Sequence, residues 1–276
     1  MNGLRIIMRR ARVITLLTDF GYQDAYVGIM KGVIASINPL ASVIDICHNT
    51  PPGDILNGAY LLYTSYKYFP KGTIHVAVID PGVGSARGIL CVQTQDYLFL
   101  APDNGLLSFI ARKERLKRII QVTNGDYFLP APGCTFHGRD IFAPVAAHVS
   151  LGIQPQQLGT RTDRLHYLEI PVPVWKEGKK VEGQIISVDR FGNLITNITR
   201  EHIAGLKTDM HEIETTIGRR KITGLSNTYT DVPAGKPLLL FGSVDFLEIS
   251  VNQGNAQKYF HVKKGTAIRI QSLKTN

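Results

Sequence analysis

Residues 12–48 of the chain read RVITLLTDFGYQDAYVGIMKGVIASINPLASVIDICH. Arg12 to Leu17 is a short apolar run of the length of a buried strand, and Thr18 to Gly21 is a loop. From about Asp24 to Ile37, Val27, Met30, Lys31, Ile34 and Ile37 recur at three- and four-residue spacing. That spacing predicts a helix, which Asn38-Pro39 stops. Val43 to Ile46 is strand again. The same alternation continues outward. A helix over Asp54 to Tyr68 precedes a strand over Thr73 to Ile79, and strands over Gly88 to Thr94 and Tyr97 to Ala101 follow. Helices over Leu106 to Arg112 and Ile141 to Leu151 complete the pattern. Strands alternating with helices predict an α/β domain with a mostly parallel sheet.

From about Arg161 the texture changes. Pro171, Pro173 and the stretch Lys176 to Lys180 read as a linker or strand edge. Beyond them Val181 to Val188, Leu238 to Phe241, Phe246 to Val251 and Thr266 to Ile270 alternate with Gly and Asn turns, and helical periodicity is scarce. The expected organisation is an N-terminal α/β domain over 11–168, a linker over 169–180 and a smaller β-rich domain over 181–276.

Composition narrows the function classes. With 44% apolar and 19% charged residues the chain has a globular balance, which excludes collagen, wholesale disorder and coiled coil. The net charge of +9 raises the question of nucleic acid. The basic residues are scattered, however. Arg9-Arg10, Arg219-Arg220-Lys221 and Arg112 to Arg118 are the clusters, the last reads as a solvated helix face, and no aromatic stacking pattern accompanies it. No nucleic-acid partner is expected. Cys47, Cys91 and Cys134 form no CxxC pair, so neither a zinc ribbon nor a disulfide scaffold is indicated. The apolar run Val13 to Leu17 is shorter than the about 7–15 residues of a secretory core or the about 20 of a membrane helix. A soluble, cytoplasmic protein without membrane contact is expected.

Ligands in α/β sheets bind at the carboxyl ends of strands, and four polar clusters have that position: Asp19, His48, Asp80 and Asp103-Asn104. Asp19 could bind sugar hydroxyls or cap the following helix. His48 could be catalytic or hydrogen-bonded to backbone. Asp80-Pro81-Gly82-Val83-Gly84 makes a turn whose backbone a ligand can approach, or a purely structural turn with Arg87 at the surface. It lacks the third glycine of a dinucleotide loop, and no P-loop, HExxH, nucleophile elbow or metal-ligand spacing occurs. Thr135-Phe136-His137-Gly138-Arg139-Asp140 brings three titratable groups together. With Asp80 and Arg87, His137 would form a carboxylate, guanidinium and imidazole set able to fix and polarise a water. In Asp189-Arg190-Phe191-Gly192-Asn193, Phe191 could stack a purine and Asn193 read its edge, or the segment is a β-turn with a core Phe.

These clusters, in this order, resemble the S-adenosylmethionine (SAM) hydrolases that form adenosine, the SAM hydroxide adenosyltransferases, which are related to the fluorinase and chlorinase. The match is carried by Thr18 to Gly21, Asp45 to His48, Val78 to Gly84, Ala101 to Gly105, Thr135 to Asp140, Asp189 to Asn193, Leu247-Glu248-Ile249 and Asn252 to Ala256. The resemblance implies a C-terminal β-barrel-like domain and a homotrimer binding SAM at subunit interfaces. It also implies displacement at the ribose C5′ by water or hydroxide, giving adenosine and L-methionine. By the same resemblance Asp80, Arg87 and His137 are the water-handling set; on physical grounds Arg87 can hold Asp80 ionised while His137 accepts or relays the proton. Asp19 holds the ribose hydroxyls. Asp189 belongs to the motif whose Asn193 reads adenine, with Phe191 and Tyr229 as aromatic walls, and Ser243 contacts the methionine end. SAM is substrate, and the reaction needs no metal or cofactor.

Two other readings attach to the same motifs: a SAM-dependent halogenase, or a non-catalytic SAM or adenosine sensor. The fluorinase has a tyrosine where Asp80 stands, a Tyr-Ser pair where His137-Gly138 stand, and an inserted loop absent from Gly88 to Asp103. Asp80 therefore argues for water. One departure is plain: the family's Asn-Ser-x-Gly before Leu-Glu-Ile reads Gly242-Ser243-Val244-Asp245 here.

Overall fold

A computed structural model describes residues 13–176 and 180–273. The basic pair Arg9-Arg10, the expected domain start at residue 11, Arg12 and residues 177–179 of the expected linker lie outside the described residues. The chain divides into two compact units, Met1–Leu168 and Glu169–Asn276.

In the first unit the elements are β1 (Val13–Thr18), α1 (Tyr26–Ile37), β2 (Ser42–Cys47), α2 (Ile55–Ser65), β3 (Ile74–Val78), β4 (Ile89–Gln93), β5 (Leu98–Pro102), α3 (Ser108–Lys113), β6 (Arg118–Val122), α4 (Ala143–Ser150) and β7 (Gly159–Thr162). The strands form one sheet in the order β2-β1-β3-β5-β4-β6-β7. Strands β2, β1, β3 and β5 pair in parallel, and the pairs β5–β4, β4–β6 and β6–β7 are antiparallel. The reversal has a simple cause. Only Thr94 to Tyr97 separate β4 from β5, enough for a hairpin and far too short for the dozen or more residues of a parallel crossover. The sheet is thus mixed, and parallel on the side that the strand–helix alternation describes.

Helix α1 buries Val27, Met30 and Ile34, the expected stripe, and Asn38 closes it by donating its N–H to the Ile34 carbonyl at 2.8 Å. The Asn38 side chain donates to Ser150 Oγ at 2.7 Å and so ties α1 to the end of α4. The small residues Ala143, Ala146 and Ala147 of α4 are fully buried in the core with Met30 and Ile34. One turn of π-helix over Gly138–Phe142 leads into α4. The basic stretch Arg112 to Arg118 is not a helix face: Arg112 and Lys113 end α3, and Arg118 begins β6.

The second unit holds β8 (Val174–Lys176), β9 (Lys180–Val188), β10 (Leu194–Thr199), α5 (Arg200–Ala204), β11 (Ile213–Ile217), β12 (Arg220–Thr223), β13 (Pro237–Phe241), β14 (Phe246–Val251), α6 (Ala256–Phe260) and β15 (Ala267–Ser272). All its pairings are antiparallel, in the order β12-β11-β15-β9-β10-β14-β13, with β8 added to β9. Ser226, just after β12, donates to the Leu239 carbonyl of β13 at 2.7 Å, so the curled sheet is a nearly closed barrel. Val181, Ile185, Leu194, Leu247 and Ile270 fill it. No helix among the described residues is long and apolar enough to cross a membrane.

Candidate active site

The loop after β3 carries the first set of groups. Val83 N–H donates to the Asp80 carbonyl and Ser85 N–H to the Gly82 carbonyl, both at 3.1 Å, so the chain doubles back and returns Arg87 to Asp80. Gly84 sits at φ +79°, and a Cβ there would stand 2.6 Å from the Cys134 carbonyl. Only glycine allows both the left-handed turn and the close approach of the 133–137 segment. Arg87 grips Asp80 as a fork, with Nε on Oδ1 at 2.9 Å and a terminal nitrogen on Oδ2. The two side chains are 5% (Asp80) and 10% (Arg87) exposed. That same terminal nitrogen donates to His137 Nδ1 at 2.9 Å. The three groups expected to act on water are therefore in direct contact, with Arg87 at the centre.

This geometry fixes the state of His137. Guanidinium cannot accept a hydrogen bond, so Nδ1 must offer its lone pair and the imidazole is neutral. Burial, reinforced by the Arg87 charge, holds its pKa below the usual histidine value. Its Nδ1 is thus occupied, and taking a proton there would require releasing Arg87.

At the end of β1, Asp19 Oδ2 accepts the Gly53 N–H at 2.7 Å. It does not cap a helix: α1 begins at Tyr26, and its N-cap Ala25 has no side-chain cap. His48, at the end of β2, is fully buried and bonded through Nδ1 to Thr18 Oγ at 2.7 Å, so it faces no ligand. Asp103 and Asn104 are structural. Asp103 accepts from His166 N–H at 2.7 Å, and Asn104 bridges the Ile79 carbonyl and the Leu106 N–H.

In the second unit Asp189 organises a turn. Its Oδ1 accepts from Phe191 N–H (2.9 Å) and Asn193 N–H (2.8 Å), and its Oδ2 accepts from Asn193 Nδ2 (2.9 Å). Phe191 is 75% exposed, so it is no core residue and its face is free to stack. Asn193 is buried with one amide hydrogen committed to Asp189, leaving the carbonyl and the other hydrogen for a ligand edge. Tyr229 donates its hydroxyl to Glu248 Oε1 at 2.7 Å, and Ser250 Oγ donates to the same oxygen at 2.6 Å. Burial and the Glu248 carboxylate raise the Tyr229 pKa. Ser243 is exposed in the β13–β14 turn. Asp245 there adopts φ +68°, the left-handed conformation that the family pattern assigns to glycine, and its carboxylate takes Arg200 Nε at 2.8 Å. Asp tolerates that conformation better than most residues, so the substitution is compatible with a left-handed turn. Among the described residues no group of three or more His, Cys, Asp or Glu could hold a metal ion.

Sequence reasoning missed the part of Glu248, although a carboxylate inside the apolar run Phe246 to Val251 is itself a signal. It also missed Gly53, whose contribution is a backbone N–H and leaves no trace in side-chain chemistry.

Known proteins similar to this chain match it over nearly its whole length. The profile of the SAM hydroxide adenosyltransferase N-terminal domain matches residues 14–159, and that of its C-terminal domain matches 183–269. An (R)-S-adenosyl-L-methionine hydrolase of Thermus thermophilus is 35% identical, covering 94% of this chain and 99% of that protein. One from Methanocaldococcus jannaschii is 39% identical over 91% and 92%. A fluorinase of Actinopolyspora mzabensis is more distant, at 23% identity over 94% and 96%. The crystal structure of an uncharacterised conserved protein from Thermotoga maritima superposes with a TM-score of 0.88 at 37% identity, covering 94% of this chain and 99% of that one.

Proposed function

This chain belongs to the SAM hydroxide adenosyltransferase family, and on that premise we propose that it hydrolyses SAM to adenosine and L-methionine by attack of water at the ribose C5′. The observation that carries the reading is the buried Asp80–Arg87 fork with His137 on the same guanidinium. The sulfonium leaves as a neutral thioether, so the leaving group needs no acid. Water is a poor nucleophile, and holding one in line behind C5′ supplies acceleration of order several kcal/mol. As the C–O bond forms, the attacking oxygen becomes strongly acidic, and even the weakly basic carboxylate of an Asp–Arg pair can take its proton. Asp80 is that acceptor in our reading. Arg87 keeps it ionised and aimed, and neutral His137 steadies Arg87. Asp19 holds the ribose hydroxyls, Phe191 and Tyr229 flank adenine, Asn193 reads its edge from the turn that Asp189 braces, and Ser243 meets the methionine end. We further propose a cytoplasmic homotrimer with active sites at subunit interfaces, the arrangement the family resemblance implies; sedimentation at a trimeric mass supports it, and a monomer opposes it.

Reaction in oxygen-18 water tests the nucleophile. Attack at C5′ breaks the carbon–sulfur bond, so label is expected on the adenosine 5′-oxygen and none on methionine. With chloride or fluoride in excess no 5′-halo product is expected, because the Asp80 carboxylate stands where a halide would sit. At about 4 Å and an effective dielectric near 20 the repulsion is at most about 4 kcal/mol, and Arg87 offsets part of it. A halogenated product outpacing adenosine overturns the reading. Binding of SAM with no product assigns the chain to sensing instead.

A further inference from the structure

We infer that His48 is a positioning residue for Asp19, setting where that carboxylate meets the ribose; the inference rests on the ribose-binding role proposed for Asp19. His48 follows β2 directly and is 0% exposed. Its backbone carbonyl accepts the Gly21 N–H at 2.7 Å. Its Nδ1 shares a 2.7 Å hydrogen bond with Thr18 Oγ. Thr18 Oγ also accepts the Phe20 N–H at 3.2 Å, so its own proton is available to Nδ1. Residues 18, 20 and 21, on both sides of Asp19, are thus fastened to one histidine directly or through a single hydroxyl.

The rest of the network holds the imidazole in that orientation. With Nδ1 accepting, the ring proton lies on Nε2, which faces Asp45 Oδ1 at 3.2 Å. That contact is electrostatic and off the line of a well-formed hydrogen bond. The other Asp45 oxygen takes Lys31 Nζ from α1 at 2.7 Å, and the Tyr22 ring stands edge-on at 5.2 Å. Burial is the main reason the His48 pKa lies below the usual histidine value, consistent with a neutral ring. Hydroxyl, imidazole and carboxylate in this order resemble a nucleophile with its base, but Thr18 is fully buried and no substrate can reach it. The arrangement can only transmit position. Asp19 is pinned from two directions, its backbone through His48 and its carboxylate through Gly53.

The test compares binding of adenosine and 2′-deoxyadenosine by calorimetry, with SAM kinetics alongside. Asp19→Ala is expected to abolish the preference for adenosine. His48→Leu is expected to shrink that preference about tenfold, the scale of one weakened hydrogen bond to a charged group, and to raise KM for SAM more than it lowers kcat. His48→Asn, whose amide oxygen can replace Nδ1 as the acceptor for Thr18, is expected to restore most of it. If His48→Leu does not fold, Thr18→Val, which removes the hydroxyl at constant volume, is expected to shrink the preference likewise. A lowered melting temperature with the preference intact in these variants overturns the inference and makes His48 a core residue only. An unchanged preference in Asp19→Ala overturns the underlying ribose assignment, an outcome seen separately from any His48 result.

Discussion

One guanidinium serves two acceptors in the first unit, and this asymmetry distinguishes the roles around it. Asp80→Ala is expected to cut adenosine formation by about 100-fold or more while SAM affinity stays near wild type, because in the proposed mechanism the carboxylate acts on water. Single-turnover assays and calorimetry measure the two effects. His137 is expected to behave differently. Its pKa is depressed, so the form that accepts from Arg87 persists at neutral pH and is lost only as pH falls through a value below about 6.5. The kcat/KM profile should show that acidic limb. His137→Asn, an acceptor that cannot take a proton, should remove the limb and retain far more activity than His137→Ala. If Asn and Ala are equally inactive, His137 is the proton acceptor. Each residue was readable in the sequence, but the contact was not: Arg87 and His137 lie fifty positions apart, and tertiary packing alone joins them.

The loop after β3 is the element on which that contact depends. Gly84→Ala forces a Cβ into the Cys134 carbonyl at a left-handed position, a strain of about 1–3 kcal/mol. The expected result is a lower melting temperature and a larger loss of turnover, since the displaced segment carries His137. Gly82→Ala is the control, because its Cβ meets nothing nearer than Ser85 Oγ at 3.4 Å. Elements were legible where a periodicity ran long enough. The β1–α1–β2 stretch shows both the strand run and the helical stripe, and its ends fell within about two residues of expectation. Strand β6 has only five residues, fully buries just Ile120 and Val122, begins with the exposed Arg118 and follows directly on a basic run. Strand β12, Arg220-Lys221-Ile222-Thr223, buries a single side chain. Strands this short, with only one or two fully buried side chains, carry too little apolar pattern to declare themselves.

Across the whole molecule, pH bears on stability through a residue far from the reaction. His75 in β3 is fully buried, bonded to Thr15 Oγ at 2.8 Å and ringed by Tyr66, Tyr97 and Phe99. Burial pushes its pKa down to about 3. The unfolded chain, with histidine near 6.5, therefore takes up the proton first. Its stabilising effect is complete above about 6.5 and is lost as pH falls toward about 3, at up to about 1.4 kcal/mol per pH unit. His75→Phe is expected to lower stability overall yet flatten the pH dependence between 6.5 and 4 by one proton in denaturant titrations; an unchanged slope refutes the assignment. The reversal between β4 and β5 matters at this scale too. Every candidate group in the first unit sits at or beyond the carboxyl ends of the parallel strands, whereas the Thr94–Tyr97 hairpin precedes the start of β5, at the other end of the sheet. Gln95 is exposed at its tip. A foreign domain spliced in after Gln95, or new termini opened there by circular permutation, would leave the end that carries these candidate groups untouched. The hairpin is the natural port for turning this protein into a tethered reporter or a split enzyme.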